Sequence, residues 1–261
     1  MTKFALLLEY DGSSYHGWQT QSDVDTVQDR LELALSSFAN HDVATITAGR
    51  TDTGVHALNQ VVHFHTEAKR NLSGWISGVN SRLPSSIRVK KIVEVNEDFD
   101  ARFSAISRTY HYYLMINPVN SALFSGQLAW YYKELNIELM QQAAQILVGR
   151  HDFSSFRAAS CQANSPIREL STLEIQQQGK IIRFSLTANA FLHHMVRNIV
   201  GALVYVGGGR MSVAQFQDVF AAQNRKLAPP TFMPNGLYLV NVEYPVNLFE
   251  QQLDNNWLFN F

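Results

Sequence analysis

The sequence predicts an α+β fold built from two ferredoxin-like halves, whose antiparallel sheets form a central cleft. Three observations lead there. Strand-like and helix-like stretches follow the order β-α-β-β-α-β twice in succession. The 261 residues are 46% apolar and only 16% charged, enough core for two domains of ordinary size. The stretch Glu94–Ser107 reads as a crossover between the series, giving an N-terminal half of residues 1–105 and a C-terminal half of 106–261. No sequence identity between the halves is visible, so the repeat is topological.

In the first half, Lys3–Tyr10 reads as a strand and Thr26–Ala39 as an amphipathic helix with Val27, Leu31, Leu33, Leu35 and Phe38. Val43–Thr47 and Asn59–Thr66 read as strands, the second alternating through Val61, His63 and His65. A short helix over Leu72–Ser81 stops near Pro84, and Ile87–Glu94 closes the unit as a strand. In the second half, Arg108–Asn117 is an aromatic strand and Asn136–Leu147 a helix that ends before Gly149. Leu170–Gln177 and Lys180–Ala188 form a hairpin about Gln178-Gly179. An apolar helix over Phe191–Val206 ends at Gly207-Gly208-Gly209. Ser212 caps a helix over Ser212–Ala222, and Gly236–Tyr244 is the closing strand.

Composition narrows the class. The longest uncharged apolar run, Ile199–Val206, is too short to cross a bilayer. Glu9 and Asp11 follow the apolar Phe4–Leu8 run at once, which predicts a first strand and not a signal peptide. One cysteine, Cys161, permits no internal disulfide and fits a reducing cytoplasm. The net charge of −1 is uneven, −3 over residues 1–105 and +2 over 106–261. Basic clusters at Lys69-Arg70 and Arg88-Val89-Lys90-Lys91 permit a locally positive face of the kind a phosphate backbone feels, although solvated surface charge explains them equally.

The segment Ala48-Gly49-Arg50-Thr51-Asp52-Thr53-Gly54-Val55-His56-Ala57 carries the chemistry. It sets one carboxylate, Asp52, between two glycines with Arg50 two residues away. Such a turn brings backbone close to a ligand, and it also suits an Asp that merely caps its own loop. Arg197 is the second anomaly, a charge in the middle of an apolar helix, with His193 one turn before it. It lies either on an exposed stripe or against a carboxylate, for which Asp52 is the candidate, and that pairing would keep the carboxylate ionised. Tyr110, in Ser107–Tyr113, is either sheet core or a phenol that stacks on a nucleobase. His63 and His65 share a strand face without a third ligand at a recognisable spacing, so no metal is expected. Asp52-Thr53-Gly54 matches the triplet of aspartic proteases, but the second such triplet is missing, and glycoside hydrolysis also needs two carboxylates. Phosphate loops, nucleophile elbows and dinucleotide fingerprints are absent from the sequence.

These motifs together closely resemble the TruA family of tRNA pseudouridine synthases. The resemblance runs through Leu8–Gly12, Tyr15–Gln19, Thr26–Gln28, Ala48–Asp52, Gly54–His56, Gln60–Phe64, Phe99–Ala105, Arg108–Tyr112, His151–Arg157, Ala188–Gly201, Gly236–Leu239 and Val242–Tyr244. It implies the pseudouridine synthase fold, a homodimer, no cofactor, and action on uridines 38, 39 and 40 of the tRNA anticodon stem-loop. Asp52 matches the catalytic aspartate, Tyr110 the tyrosine that contacts the base, and Arg197 the basic residue that pairs with the aspartate. Arg50 matches the arginine associated with displacing the target base. Arg70, the stretch Phe99, Asp100, Ala101, Arg102 and Phe103, and the loop Ser160, Cys161, Gln162, Ala163 and Asn164 match tRNA-contacting positions. Thr53 stands where alanine is common, Asp100 where histidine is frequent, and Asn164 where a relative carries arginine.

The expected reaction breaks the uridine C1′–N1 bond, turns the uracil and joins C5 to C1′. Asp52 would attack C1′, stabilise an oxocarbenium-like centre or remove the C2′ proton. Leu237 and Leu239 are either an apolar wall for the base or core. Two rivals remain at this stage: a non-catalytic binder of two RNA-recognition units, and a single-carboxylate hydrolase that releases uracil.

Overall fold

The structure, a computed structural model, describes residues 1–249. Its compact units are Met1–Ile106 together with the closing segment from Tyr238, and Ser107–Leu237.

In the first unit, β1 (Thr2–Tyr10) is central, flanked by antiparallel β4 (Ile87–Glu94) and β3 (His56–Thr66). The far edge of β3 is shared by two strands. Antiparallel β2 (Thr45–Thr47) takes its later residues, and parallel β10 (Leu237–Glu243) takes His56 and Ala57. Every second residue of β1 and β3 turns to the helical layer, where Phe4 and Phe64 meet Trp75 of α2 (Leu72–Asn80), which packs edge-on with Phe38 of α1 (Val27–Ala39). Thr26 starts α1 as predicted, its hydroxyl accepting the Asp29 N–H.

In the second unit, β5 (Ser107–Ile116) pairs with β9 (Ile181–Ala188), β9 with β8 (Ile167–Gln178), and β8 with β7 (Gly149–Asp152), all antiparallel. The short β6 (Ala129–Tyr131) runs parallel to β5. One face carries Tyr112, Leu114, Phe184, Leu186 and Leu173, which are buried along with the inner residues of α3 (Ile137–Gln145) and α4 (Met195–Gly207). The polar loop α5 helix (Val213–Ala221) begins at Ser212 with a full capping box to Gln215.

Three expectations change. The closing strand, assigned from sequence to residues 106–261, groups from Tyr238 onward with the first unit, where Tyr238 and Leu239 pair in parallel with His56 and Ala57 of β3. The apolar helix starts at Met195 and not Phe191, because His194 adopts a left-handed conformation (φ 62°) and stops it there. His193 therefore precedes α4 and does not share a helical face with Arg197. Strands β6 and β7 were not anticipated, being only three and four residues long.

Candidate active site

The loop that carries Asp52 joins β2 to β3 and is held from below by a buried polar chain. Ala48 N–H donates to Val61 O at 2.8 Å, and the Gln60 side-chain amide donates to Gly49 O at 2.7 Å. The same amide reaches the Tyr10 hydroxyl at 3.3 Å, which lies 2.8 Å from the Thr51 hydroxyl. Burial raises the Tyr10 phenol to about 12, against the pull of those two hydrogen bonds, so it keeps its proton at neutral pH.

From the other side the chain 11–18 lays its backbone on the loop. Trp18 N–H donates to Thr51 O at 3.0 Å and Gly54 N–H to Tyr15 O at 3.4 Å. A Cβ at Gly12 would stand 2.0 Å from Val55 O, and one at Gly17 (φ 88°) 2.7 Å from Thr51 O. Only glycine fits at either place. The turn itself is closed by Val55 N–H to Asp52 O at 3.1 Å, with Gly54 at φ 76°. Asp52 is half-buried on this fixed turn and Arg50 is exposed beside it. Next to Gly12, Asp11 Oδ1 lies 3.2 Å from His56 Nδ1 and also takes the Ser13 N–H and O–H. The His56 contact, outweighing burial and aided by Ser13, holds the Asp11 carboxyl below the usual carboxylate range.

The 99–103 stretch divides by role. Ala101 is fully buried, its N–H donating to His63 Nδ1 at 3.0 Å and its carbonyl accepting the Tyr244 hydroxyl at 2.7 Å. Asp100 Oδ1 accepts the N–H groups of Arg102 and Phe103 at 2.8 and 2.9 Å, so this residue shapes the turn. Lys3 Nζ donates to the Glu97 and Phe99 carbonyls, and Phe99 packs on His63 and Tyr244. What this scaffold presents to solvent is Arg102 over the ring of Phe103, 5.2 Å to its centroid, with Phe103 79% exposed. His63 is thus engaged by Ala101, and burial lowers its pKa, while His65 faces Glu97 at 3.3 Å. Arg70 is exposed, its guanidinium 5.8 Å from the Phe38 ring.

In the second unit, Tyr110 lies on β5 opposite Leu186, 8% exposed, edge-on to Phe191 at 5.0 Å. Arg197 is the third residue of α4 and half-buried. Its Nε donates to Phe232 O at 2.9 Å, and Phe232 N–H returns a bond to Arg197 O at 3.2 Å. The guanidinium also lies near Tyr112, where its charge partly offsets the rise that burial imposes on that phenol. The polar partner that an arginine in an apolar helix requires therefore includes a backbone carbonyl.

The Ser160–Asn164 loop is gripped by Arg157, whose Nη2 donates to Cys161 O at 2.8 Å and Ala163 O at 2.7 Å. Ser160 Oγ lies 3.1 Å from His193 Nδ1, and His193 N–H points to Cys161 Sγ at 3.4 Å. Burial pushes the Cys161 thiol up, but the Ala163 and His193 N–H groups and Arg157 bring it below its ordinary value. Gln162 and Asn164 are exposed and Ala163 is half-buried. Leu237 is 5% exposed at the start of β10, its N–H donating to Pro234 O.

Sequence reasoning missed Gln60, Arg157 and Asn198. Each is a polar residue in an apolar or loop context, and each proves to hold backbone carbonyls. A lone amide inside an apolar strand or helix was the available signal.

A family model described as tRNA pseudouridine synthase matches residues 7–104 and 143–245. The chain is 55% identical to the tRNA pseudouridine synthase A of Chromobacterium violaceum, covering 93% of each. It is 52% identical to that of Herminiimonas arsenicoxydans, over 93% of this chain and 90% of the relative. The Bordetella parapertussis protein of the same name is 51% identical, over 97% and 95%. With a family match that spans both the Asp52 loop and the Arg197 helix, and identity above one half along nearly its whole length, the chain belongs to the tRNA pseudouridine synthase family.

Proposed function

We propose that the protein is an isomerase that converts uridine to pseudouridine at positions 38, 39 and 40 of the tRNA anticodon stem-loop, as a cytoplasmic homodimer without a cofactor. The N1–C1′ bond breaks, C5 bonds to C1′, the C5 proton leaves to water and N1 regains a proton. Atoms and electrons balance within the substrate, so the chemistry asks for positioning and charge and for no redox partner.

Asp52 is the catalytic carboxylate. Whether it attacks C1′, stabilises positive charge there or removes the C2′ proton, one ionised carboxylate suffices. Arg197 supplies the positive charge that keeps such a group ionised, and Tyr110 contacts the uracil and assists loss of the C5 proton. The target base must leave its stack, at a cost of a few kcal/mol, and Arg50 acts on the vacated position. Arg102 with Phe103, Arg70 and the Ser160–Asn164 loop contact the RNA, the exposed Phe103 offering a stacking face beside a cation.

The observation that supports this reading most is the half-buried Asp52 on a turn that two glycines and the Tyr10–Thr51–Gln60 chain hold rigid. A merely capping aspartate would not need that scaffold. The test uses tRNA tritiated at uracil C5. Tritium released to water without free uracil is the expected result. Free uracil would indicate a hydrolase, and tight binding with neither product would indicate a binding module.

A further inference from the structure

A closed polar network lies behind Arg197, and the mechanism above does not use it. Arg225 Nη1 donates to Ala228 O at 3.1 Å and Pro229 O at 2.7 Å, while Nη2 donates to Asn198 Oδ1 at 3.1 Å and Thr231 Oγ1 at 3.2 Å. The Thr231 hydroxyl donates to the same Asn198 oxygen at 2.7 Å, and Asn198 Nδ2 donates to Phe156 O at 2.8 Å. Asn198, the residue after Arg197, is 1% exposed. Each of these four acceptors of Arg225 is a neutral oxygen, and burial lowers its pKa. A guanidinium desolvated onto neutral oxygens gains little net stability, so what it contributes is geometry.

That geometry ends at Arg197. The network fixes Ala228, Pro229 and Thr231, and the next residue, Phe232, exchanges two hydrogen bonds with Arg197. Gly201, one turn further along α4, lets the strap lie directly on the helix, since a Cβ there would stand 2.5 Å from Pro230 O. A second restraint is the Tyr112 hydroxyl, which donates to Met233 O at 2.7 Å.

We propose that the Arg225–Thr231–Asn198 network is a positioning device for Arg197, holding the Phe232 carbonyl where it fixes the plane of the guanidinium. The proposal rests on the reading of Arg197 as part of the catalytic machinery. Arg225 and Thr231 are positioning residues, acting through Phe232 and touching no substrate.

The test compares Thr231→Val, which keeps the shape and removes the hydroxyl, with Thr231→Ser, which keeps the hydroxyl. Nitrogen-15 spectra follow hydrogen exchange of the Arg197 Nε–H, assigned by its loss in Arg197→Lys. Tritium release gives kcat and KM on the same samples. Thr231→Val should speed exchange and lower kcat about tenfold with the KM for tRNA unchanged, and Thr231→Ser should restore both. Arg225→Gln should act in the same direction as Thr231→Val. Unchanged exchange in Thr231→Val overturns the positioning role, whatever kcat does. Faster exchange with unchanged kcat leaves the positioning standing and refutes instead the catalytic role of Arg197. A loss confined to KM, or one that Thr231→Ser fails to restore, also counts against the proposal.

Discussion

The loop of Asp52 and the helix of Arg197 are made rigid by different means. What sets the Asp52 loop apart is a restraint of backbone against backbone, added to the Gln60, Tyr10 and Thr51 side chains: the chain at Gly12 and Gly17 touches the loop at distances no side chain permits. Around Arg197 the restraint is made by side chains, with Arg225, Thr231 and Asn198 tying a strap to α4 across 27 to 33 residues of sequence. The first kind leaves no adjustment, so a single Cβ breaks it. The second tolerates small shifts and fails by degrees, through loss of hydrogen bonds.

The contrast is sharpest at the glycines. Gly12→Ala places its Cβ against the Val55 carbonyl and should cost about 3–5 kcal/mol, read by denaturant unfolding, with tritium release lost alongside. Gly201→Ala meets Pro230 O at 2.5 Å, a lesser overlap than at Gly12 and one that alanine's better helix propensity partly offsets, so a smaller cost of about 2 kcal/mol is expected, with reduced kcat and normal tRNA binding. Equal costs at the two sites would break the comparison. Smaller again, Thr51→Val removes the partner of the buried Tyr10 hydroxyl and should cost about 1–2 kcal/mol in the same measurement.

Acid should separate the regions as well. Asp11, whose carboxyl is held below its ordinary value of 3.8, binds its proton less readily folded than unfolded. Its stabilisation is complete above that value and is lost as pH falls below it toward the lowered one. Asp11→Asn should therefore flatten the acid limb of the stability curve, whereas Thr231→Val should leave its shape unchanged, because Arg225, Thr231 and Asn198 do not titrate there.

This difference also explains what could be read from sequence. The Asp52 turn was legible because its own residues announce it: glycines after an apolar strand mark a turn within ten residues, although the chain from Tyr10 to Trp18 that restrains it lies far off in sequence. Strand β4, the helix start near Thr26 and the Ser212 cap were legible for the same reason. The Arg197 helix starts four residues later than the sequence suggests, since its start depends on the left-handed His194, a backbone state that histidine rarely declares. The strap from Arg225 to Phe232 was invisible, because its partners are distant in sequence and chemically ordinary. The placement of Ala101 was missed likewise, as nothing in its motif says that its N–H will satisfy a buried histidine.

The central claim is that Asp52 acts alone as the catalytic carboxylate on a loop whose rigidity does not depend on it. Single-turnover tritium release by Asp52→Asn, with tRNA binding and thermal unfolding measured on the same preparation, tests it most directly. The account predicts a loss of roughly a thousandfold or more in release, with binding and unfolding temperature near those of the unaltered protein. Release by Asp52→Asn at a rate close to that of the unaltered protein would contradict it.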